Sequence, residues 1–565
     1  MAHPLDGYTL TLCYNKNPCK LVQKRKEDII RKFSESGLLV TTHGFERIIA
    51  HSLDSDKVIS VAKERKQWLV SNEFLIEYME DKRQKEESVS VSCAPSAVLA
   101  QIEPATPHSE ALEPAEKKES LIVEPPVYIP ECKRPAEEAR LAVIVERSRN
   151  IYAKGIASQL IISRESDVTD KSTCGGKIED FVDYFNEKYK NLREIIKGRE
   201  SYLGAVSIDV LKKYKGETST FIGMVKEKRE SKKGYKFLEM EDPTGEITVL
   251  IPNKNDVLTR LYATILEDEV LGIQGKLVNE LLIASDIVEP ELPNTYKGNY
   301  AKEPVYAAFL SDIHVGSNLF LEKEFQNFLD WLNLKGGNGG DIAEKVKYLL
   351  VAGDLVDGIG IYPNQERELV IPDIYKQYDY LAKLLEGVPD YIEIVLAMGN
   401  HDAVRGAEPQ PMLSKDIAGK LCDMPNVHIT SNPVWVSVHG VKILMYHGTS
   451  FDTIIGKVPG CSYSKPETAM IECLKKRHLV PMYKEDTISP ERVDYLAIRE
   501  VPDVFHAGHV HTNGYASYRG VKIINSGTWQ ARTKYQEQLG HMPTPGRVPI
   551  MNLQTHEISV KHFVE

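Results

Sequence analysis

The sequence predicts an α/β domain over its C-terminal half, a small β-barrel before it, and a small helical unit at the N-terminus on a flexible linker. Three observations carry that prediction. From about residue 300 onward, apolar runs of strand length alternate with amphipathic helical stretches, the mark of a layered α/β domain. Between 217 and 290 the periodicity is that of strands alone, broken by turn-forming segments. Between 84 and 140, Pro, Ser, Ala and Glu dominate and aromatic residues are few, so the segment cannot bury enough surface to offset its ordering entropy.

Taken in order, residues 1–83 read as the helical unit. Arg25–Ser36 places Ile29, Ile30 and Phe33 at helical spacing, and Gln67–Met79 repeats the pattern with Trp68, Leu69, Phe74, Leu75 and Tyr78. The basic run Lys20, Lys24, Arg25 and Lys26 reads as a solvated face. Residues 84–140 form the linker. Residues 141–205 connect it to the barrel, with a short apolar run at Leu141–Val145. An amphipathic helix over 180–200 has Phe181, Tyr184, Phe185, Tyr189, Leu192, Ile195 and Ile196 on one side.

Residues 206–292 contain five short strands, with a longer interruption at Asn253–Glu267. That spacing suggests a Greek-key barrel of the OB type. Two readings stand side by side. In one, Lys226, Lys228, Arg229, Lys232, Lys233 and Lys236 meet the phosphates of a single strand while Tyr235 or Phe237 stacks on bases. In the other, the barrel docks on the next domain and its hairpin is merely charged.

Composition narrows the function. The chain has 565 residues, 42% hydrophobic and 27% charged, with a formal net charge of −11 from 70 Lys+Arg against 81 Asp+Glu. These are values of a soluble globular protein of several domains. No apolar run approaches the ~20 residues that span a bilayer, and the first residues lack a signal-peptide pattern, so a cytoplasmic protein is expected. The eight cysteines are scattered without a CxxC pair, which indicates neither a zinc ribbon nor a disulfide framework. A protein that grips duplex nucleic acid unaided usually has a basic surplus. Work on nucleic acid would here require local basic patches, metal ions or a partner.

Chemistry concentrates in residues 300–565. Five apolar strands each end on polar residues of metal-ligand type: Asp312-Ile313-His314, Gly353-Asp354, Asn400-His401-Asp402, His447-Gly448 and His509-Val510-His511. α/β folds build their sites at the carboxyl ends of strands, so the five loops are expected to converge. Singly, each pair has an ordinary explanation: Asp354 as a turn cap, His447 as a core histidine. Together they supply carboxylates, an amide and several imidazoles, too many for one tetrahedral zinc. They suit two divalent ions sharing a carboxylate. Mixed oxygen and nitrogen donors without thiolate fit Mn²⁺ best, then Fe²⁺ or Zn²⁺, with Mg²⁺ less favoured. Such a pair points to hydrolysis of a phosphate ester, with His401, oriented by Asp402, protonating the leaving oxygen.

That order of motifs resembles the calcineurin-like metallophosphoesterase superfamily across 304–563. GDLVDGIGIYPNQ (353–365), GNHDAVRGAEPQP (399–411), YHGTSFD (446–452), HLVPMY (478–483), FHAGHVHTNGY (505–515) and INSGTWQARTKYQ (524–536) resemble more narrowly the small subunits of archaeal family-D DNA polymerases, across about 175–565. The resemblance implies a calcineurin-like phosphoesterase sandwich after an OB-fold barrel, and a two-metal 3′→5′ exonuclease that proofreads DNA. It implies one metal on Asp312, His314, Asp354 and His511, and a second on Asp354, Asn400, His447 and His509, with His401 catalytic. It also implies a large catalytic subunit as partner, a single-stranded or frayed 3′ end as substrate, and a place at the nucleoid. Related B-subunits of eukaryotic replicative polymerases share the plan but have lost these ligands, whereas this chain keeps each one. Lys232, Lys233, Tyr235 and Arg405 are the candidate DNA contacts, Arg405 being equally open to a structural ion pair. The competing functions are a phosphatase or phosphodiesterase on the same scaffold with other substrates, and a scaffold subunit with a vestigial site.

Overall fold

The structure, a computed structural model, describes residues 151–213, 216–335 and 340–564, together with Lys32, Leu39–Val40, Ser55–Glu64, Leu69–Val70 and Val127–Tyr128. Residues 1–116 form a compact unit of their own. Its described parts are the helix Ser55–Glu64 and a parallel pairing of Leu39–Val40 with Leu69–Val70. The pairing corrects the expectation of a purely helical unit, because Leu69 and Val70 fall in the stretch read as a helix. An aromatic, apolar and β-branched run such as Trp68-Leu69-Val70 suits a strand at least as well as a helix. Otherwise the expected helical unit, the linker and Leu141–Val145 lie outside the described residues, apart from Lys32 and Val127–Tyr128.

The second unit, 117–565, carries the rest. Strand β1 (Leu160–Ile162) and helix α1 (Ile178–Lys197) precede the barrel. Helix α1 buries Tyr184, Lys188, Leu192 and Ile196, a stripe at four-residue intervals. The two ends of that stripe have different partners. Leu192 and Ile196 pack with Ile222, Met224 and Val270 of the barrel, and Tyr184 packs with Leu474, Leu479 and Phe505 of the α/β domain.

The barrel consists of β2 (Thr218–Glu230), β3 (Lys236–Asp242), β4 (Gly245–Ile251), β5 (Val270–Val278) and β6 (Leu281–Val288), closed in the order β2-β3-β4-β6-β5. Phe221, Val225, Leu238, Val249, Leu271 and Leu282 fill it. The long interruption forms α2 (Asp256–Thr264), capped by Asn255, whose side chain accepts from Leu258 N at 3.1 Å. Its basic hairpin is largely self-neutralised. Lys226 pairs with Glu246 and Arg229 with Glu239. Lys236 pairs with Glu230, and Lys228 donates to the carbonyls of Ala263 and Ile265. The barrel is joined to the α/β domain by the buried Lys476, 2.9 Å from Glu269 and 3.2 Å from Glu289.

The α/β domain is a two-sheet sandwich. The first sheet contains β7 (Tyr306–Leu310), β8 (Val346–Ala352), β9 (Glu393–Ala397) and β10 (Val427–Ile429), all parallel, followed beyond β7 by the antiparallel hairpin of Arg547–Asn552 and Ile558–His562. In the second, β11 (Val434–Val438) lies between β1 and β12 (Val441–Met445), and β13 (Val504–Ala507) follows. The hairpin β14 (Asn513–Tyr518) and β15 (Val521–Ser526) completes it, with β15 against β13. Alternation assigns the faces. Ala307, Phe309, Tyr348 and Leu350 meet Val436, Ile443, Met445 and Ile524 between the sheets. Ala308, Leu310, Leu349 and Val351 face α3 (Glu322–Leu332) and α4 (Ile374–Leu385). Leu444, Phe505 and Ile523 face α5 (Phe451–Lys457) and α6 (Glu467–Lys476). Burial on both faces explains the near-continuous apolar runs of these strands. No described helix is long and apolar enough to cross a membrane.

Candidate metal centre

The loops that leave the carboxyl ends of β7, β8, β9, β12 and β13 meet at one edge of the sandwich. Asp312, His314, Asp354 and His447 are at most 1% exposed and His511 is 7% exposed, so water screens this cluster poorly. Asp312, His314, Asp354, His509 and His511 all have left-handed backbone, with φ between 50° and 68°. That region costs a non-glycine residue free energy and gathers at functional sites. Two glycines make room for the carboxylates. A Cβ on Gly399 would run into Asp354 Oδ1, and one on Gly508 into Asp312 Oδ2.

The donors fall into two groups around Asp354. On one side His511 Nε2 lies 3.0 Å from His314 Nε2 and 3.3 Å from Asp312 Oδ1, while His314 Nε2 is 3.7 Å from Asp354 Oδ2. On the other, His447 Nε2 lies 3.3 Å from Asp354 Oδ2 and 2.9 Å from Asn400 Oδ1. His509 Nδ1 is 3.1 Å from that same amide oxygen. Three sets of donors, all buried except the half-buried His401, lie close enough to hold an ion: Asp312, His314 and His511; Asp312, Asp354 and His447; and His314, Asp357 and His401. All eight residues expected from sequence are therefore brought together. Burial alone would lift the Asp354 carboxyl, but the imidazoles of His447, His401 and His314 hold it well below its usual range. His447, which burial would hold neutral, is pushed up to about 10 chiefly by the Asp354 carboxylate. The cluster thus carries a negative field that favours a cation.

Around the eight expected residues, the geometry corrects one expectation and adds two residues. Asp402 does not orient His401. It accepts from Gly399 N at 2.8 Å, Leu355 N and Tyr378 Oη, and so ties the β8 and β9 loops together. His401 is aimed instead by Asp357: its Nδ1 lies 2.8 Å from the Asp357 carbonyl oxygen, leaving Nε2 4.0 Å from Asp354 Oδ2. Asp357 also accepts from His314 Nδ1 at 3.0 Å through its carboxylate. Such a partner fixes the tautomer and ring plane of a metal-binding histidine. The same service comes to His447 from the Ala352 carbonyl at 2.8 Å and to His509 from Asp452 at 3.2 Å. Asp357 and Asp452 were missed because an acid in a loop, as Asp357 is, ordinarily serves as a turn residue, and one in the first turn of a helix, as Asp452 is in α5, ordinarily serves the helix terminus. Their presence inside GDLVDG and HGTSFD, beside ligand-bearing positions, was the available signal.

The remaining candidates lie elsewhere. Lys232, Lys233 and Tyr235 are exposed at the β2–β3 turn of the barrel. The Arg405 guanidinium is engaged within the fold: it bonds to the Pro409 carbonyl and Ser172 Oγ and lies 2.9 Å from Glu491.

A family model described as calcineurin-like phosphoesterase matches residues 306–513, from β7 into β14, a range that holds every donor above. The DNA polymerase II small subunit of Archaeoglobus fulgidus is 45% identical over 72% of this chain and 82% of its own length. The chain belongs to the family of archaeal DNA polymerase II small subunits. The subunit from Methanothermobacter thermautotrophicus is 42% identical over 68% of this chain and 80% of its own length. That from Methanocaldococcus jannaschii is 41% identical over 71% and 68%. As a member of this family, the subunit carries a metallophosphoesterase domain, and that domain implies divalent metal ions. The residues present fit them: buried oxygen and nitrogen donors within ion-holding distance, an excess of negative field, and glycines where a Cβ would intrude.

Proposed function

We propose that this subunit is a two-metal 3′→5′ exonuclease that hydrolyses DNA phosphodiester bonds and proofreads for a large catalytic polymerase subunit to which it is bound. The observation that supports this reading above all is the place of Asp354, whose Oδ2 lies within 3.7 Å of His314 Nε2 and 3.3 Å of His447 Nε2, between two sets of donors. Asp312, His314, Asp354 and His511 would hold one ion, and Asp354, Asn400, His447 and His509 the other, Mn²⁺ being the best match to these donors. Two such ions, when bound, would activate a water and neutralise charge on the phosphoryl oxygens. The chain's own residues do the rest. The Nδ1–H of His401 is committed to the Asp357 carbonyl, so its Nε2 faces the reacting group. Burial keeps that imidazole neutral at rest. An incoming phosphodiester anion favours the protonated form, which can donate to the leaving oxygen. The buried carboxylates and the ring planes fixed by Asp357, Ala352 and Asp452 remove the cost of organising the site during reaction. The net charge of −11 agrees with a partner supplying the basic channel for duplex DNA.

The test uses 5′-labelled single-stranded DNA with Mn²⁺, the subunit alone and the two-subunit complex, and Asp354→Asn beside each. A ladder shortened from the 3′ end and absent in the variant is the expected result. No cleavage by the complex would sink the reading in favour of a scaffold role. Turnover of simple phosphate esters without DNA cleavage would favour a phosphatase.

A further inference from the structure

We propose that two loops beside the metal centre form a strand-binding mouth, in which Arg532 and Lys534 contact the backbone phosphates of an unpaired 3′-terminal segment and Tyr362 receives its terminal base. The inference deepens the nuclease reading and rests on it for the identity of the substrate.

The first jaw is the arch of residues 531–535. Both of its ends are tied to the centre. Before it, Gln530 Nε2 donates to Asp357 Oδ1 at 3.0 Å and to Ser317 Oγ at 2.9 Å. After it, Gln536 Nε2 lies 2.9 Å from His511 Nδ1, and the Gln536 side chain closes a capping box with Thr533. Consecutive Cα atoms are about 3.8 Å apart, so Arg532 and Lys534 each sit within about 8 Å, Cα to Cα, of an anchor that touches the cluster. Both are exposed, and among the described residues neither side chain makes an ion pair or a hydrogen bond.

Among the described residues they share that freedom with Lys232 and Lys233 at the β2–β3 turn, but not with the paired cations of the fold. Lys226, Arg229 and Arg405 are each matched to a carboxylate, as are Lys457 and Lys484. A cation already neutralised within the fold gains little from a phosphate, whereas a free one releases the counterions of the strand it binds. Arg532 and Lys534 differ from Lys232 and Lys233 in place: they stand beside the proposed chemistry, on an arch tied to the centre through Gln530 and Gln536.

The second jaw is loop 358–365. Gln365 pins it, donating to the Asp357 carbonyl at 2.7 Å and accepting from Ile361 N at 2.9 Å. The pinning presents Ile359, Ile361 and Tyr362 to solvent, at 46%, 38% and 37% exposure. The Tyr362 ring stands edge-on to His401, centroids 6.4 Å apart. An exposed aromatic face next to the proposed proton donor is placed for the base of the nucleotide being released, and stacking of this kind tolerates every base.

The test is equilibrium binding of a short 5′-fluorescein single-stranded oligonucleotide to the full chain in EDTA, by anisotropy across a NaCl series. Without metal there is no turnover, so the readout is independent of nuclease activity. Arg532→Ala with Lys534→Ala is expected to weaken binding about tenfold or more at low salt. It should also flatten the slope of log Kd against log salt by about 1.4, that is 0.7 for each phosphate contact on a single strand. Arg532→Lys with Lys534→Arg should restore both. Tyr362→Ala should weaken binding about tenfold while leaving the slope intact, the signature of stacking rather than charge. An unchanged slope in the double alanine variant, no restoration by the charge-conserving pair, or no binding by the wild type would overturn the cationic jaw. Unchanged affinity in Tyr362→Ala would overturn the aromatic one. Failure of the nuclease reading is recognised separately, by absence of DNA cleavage by the two-subunit complex with Mn²⁺ or by cleavage that survives Asp354→Asn.

Discussion

Asp357→Asn probes how the fold supports its metal centre without touching a proposed ligand. The Asp357 carboxylate is fully buried and accepts three hydrogen bonds, from His314 Nδ1, Gln530 Nε2 and Gln365 Nε2, each at 3.0 Å. Asparagine keeps the shape but replaces one oxygen with a donor. At least one of the three donors then meets an N–H, and a buried donor left unpaired costs about 1–3 kcal/mol. For a domain of this size, that lowers the melting temperature by roughly 2–4 °C per kcal/mol. The larger effect falls on His314, whose ring loses a charge-assisted partner. Loss of such a partner typically weakens metal binding about 10–100-fold. The group on the far side of Asp354 should be spared, because His447 is aimed by the Ala352 carbonyl. Calorimetric titration with Mn²⁺ should therefore show one weakened and one near-normal site. Two affinities within twofold of wild type would refute the positioning role, whatever the melting temperature did.

Three further outcomes follow from the geometry. His401→Ala should keep both metals and lose about 10²–10⁴ in kcat on labelled DNA, the usual worth of a general acid; loss of metal in the same titration would make His401 a ligand instead. Gly508→Ala should weaken metal binding while leaving the barrel folded, because the new Cβ would meet Asp312 Oδ2 and, at 2.5 Å, Ser311 Oγ; an unaltered titration would show that the β13 loop yields freely. Asp486 is pushed up to about 7 by burial, with Thr453 donating to Oδ1 at 2.8 Å and Oδ2 unpartnered among the described residues. Its folded-state pKa exceeds the unfolded one, so the stability it contributes is fully present below about pH 4 and lost as pH rises through 7. Asp486→Asn lacks that loss, and its melting temperature should gain on wild type between pH 5 and pH 8; a constant difference would contradict the assignment.

Much of the fold was legible because its signals are local. Period-two alternation in the barrel and continuous apolar runs in the sandwich follow from where consecutive Cβ atoms point. The proposed ligands were legible for a related reason: each lies within a few residues of the end of a strand, and α/β topology brings those ends together. The limits of local reading show at particular residues. Leu69 and Val70 suit either element by composition, and pairing with Leu39 and Val40 decided for strand. Lys188 lies in the middle of a helix that reads as amphipathic, yet it is buried because Pro481 offers it a carbonyl at 2.7 Å.

At the centre itself, the sequence by itself determined which side chains are available and that they follow strands. Tertiary structure decided what each one does. His314 meets Asp357, His509 meets Asp452, and Gln536 meets His511 only because loops distant in the chain are packed against one another. The same packing assigned Asp402 to the backbone of two loops rather than to His401, and Arg405 to Glu491. A hydrogen bond is satisfied by whichever partner arrives at about 3 Å in the right direction, and spacing along the chain carries no record of that encounter.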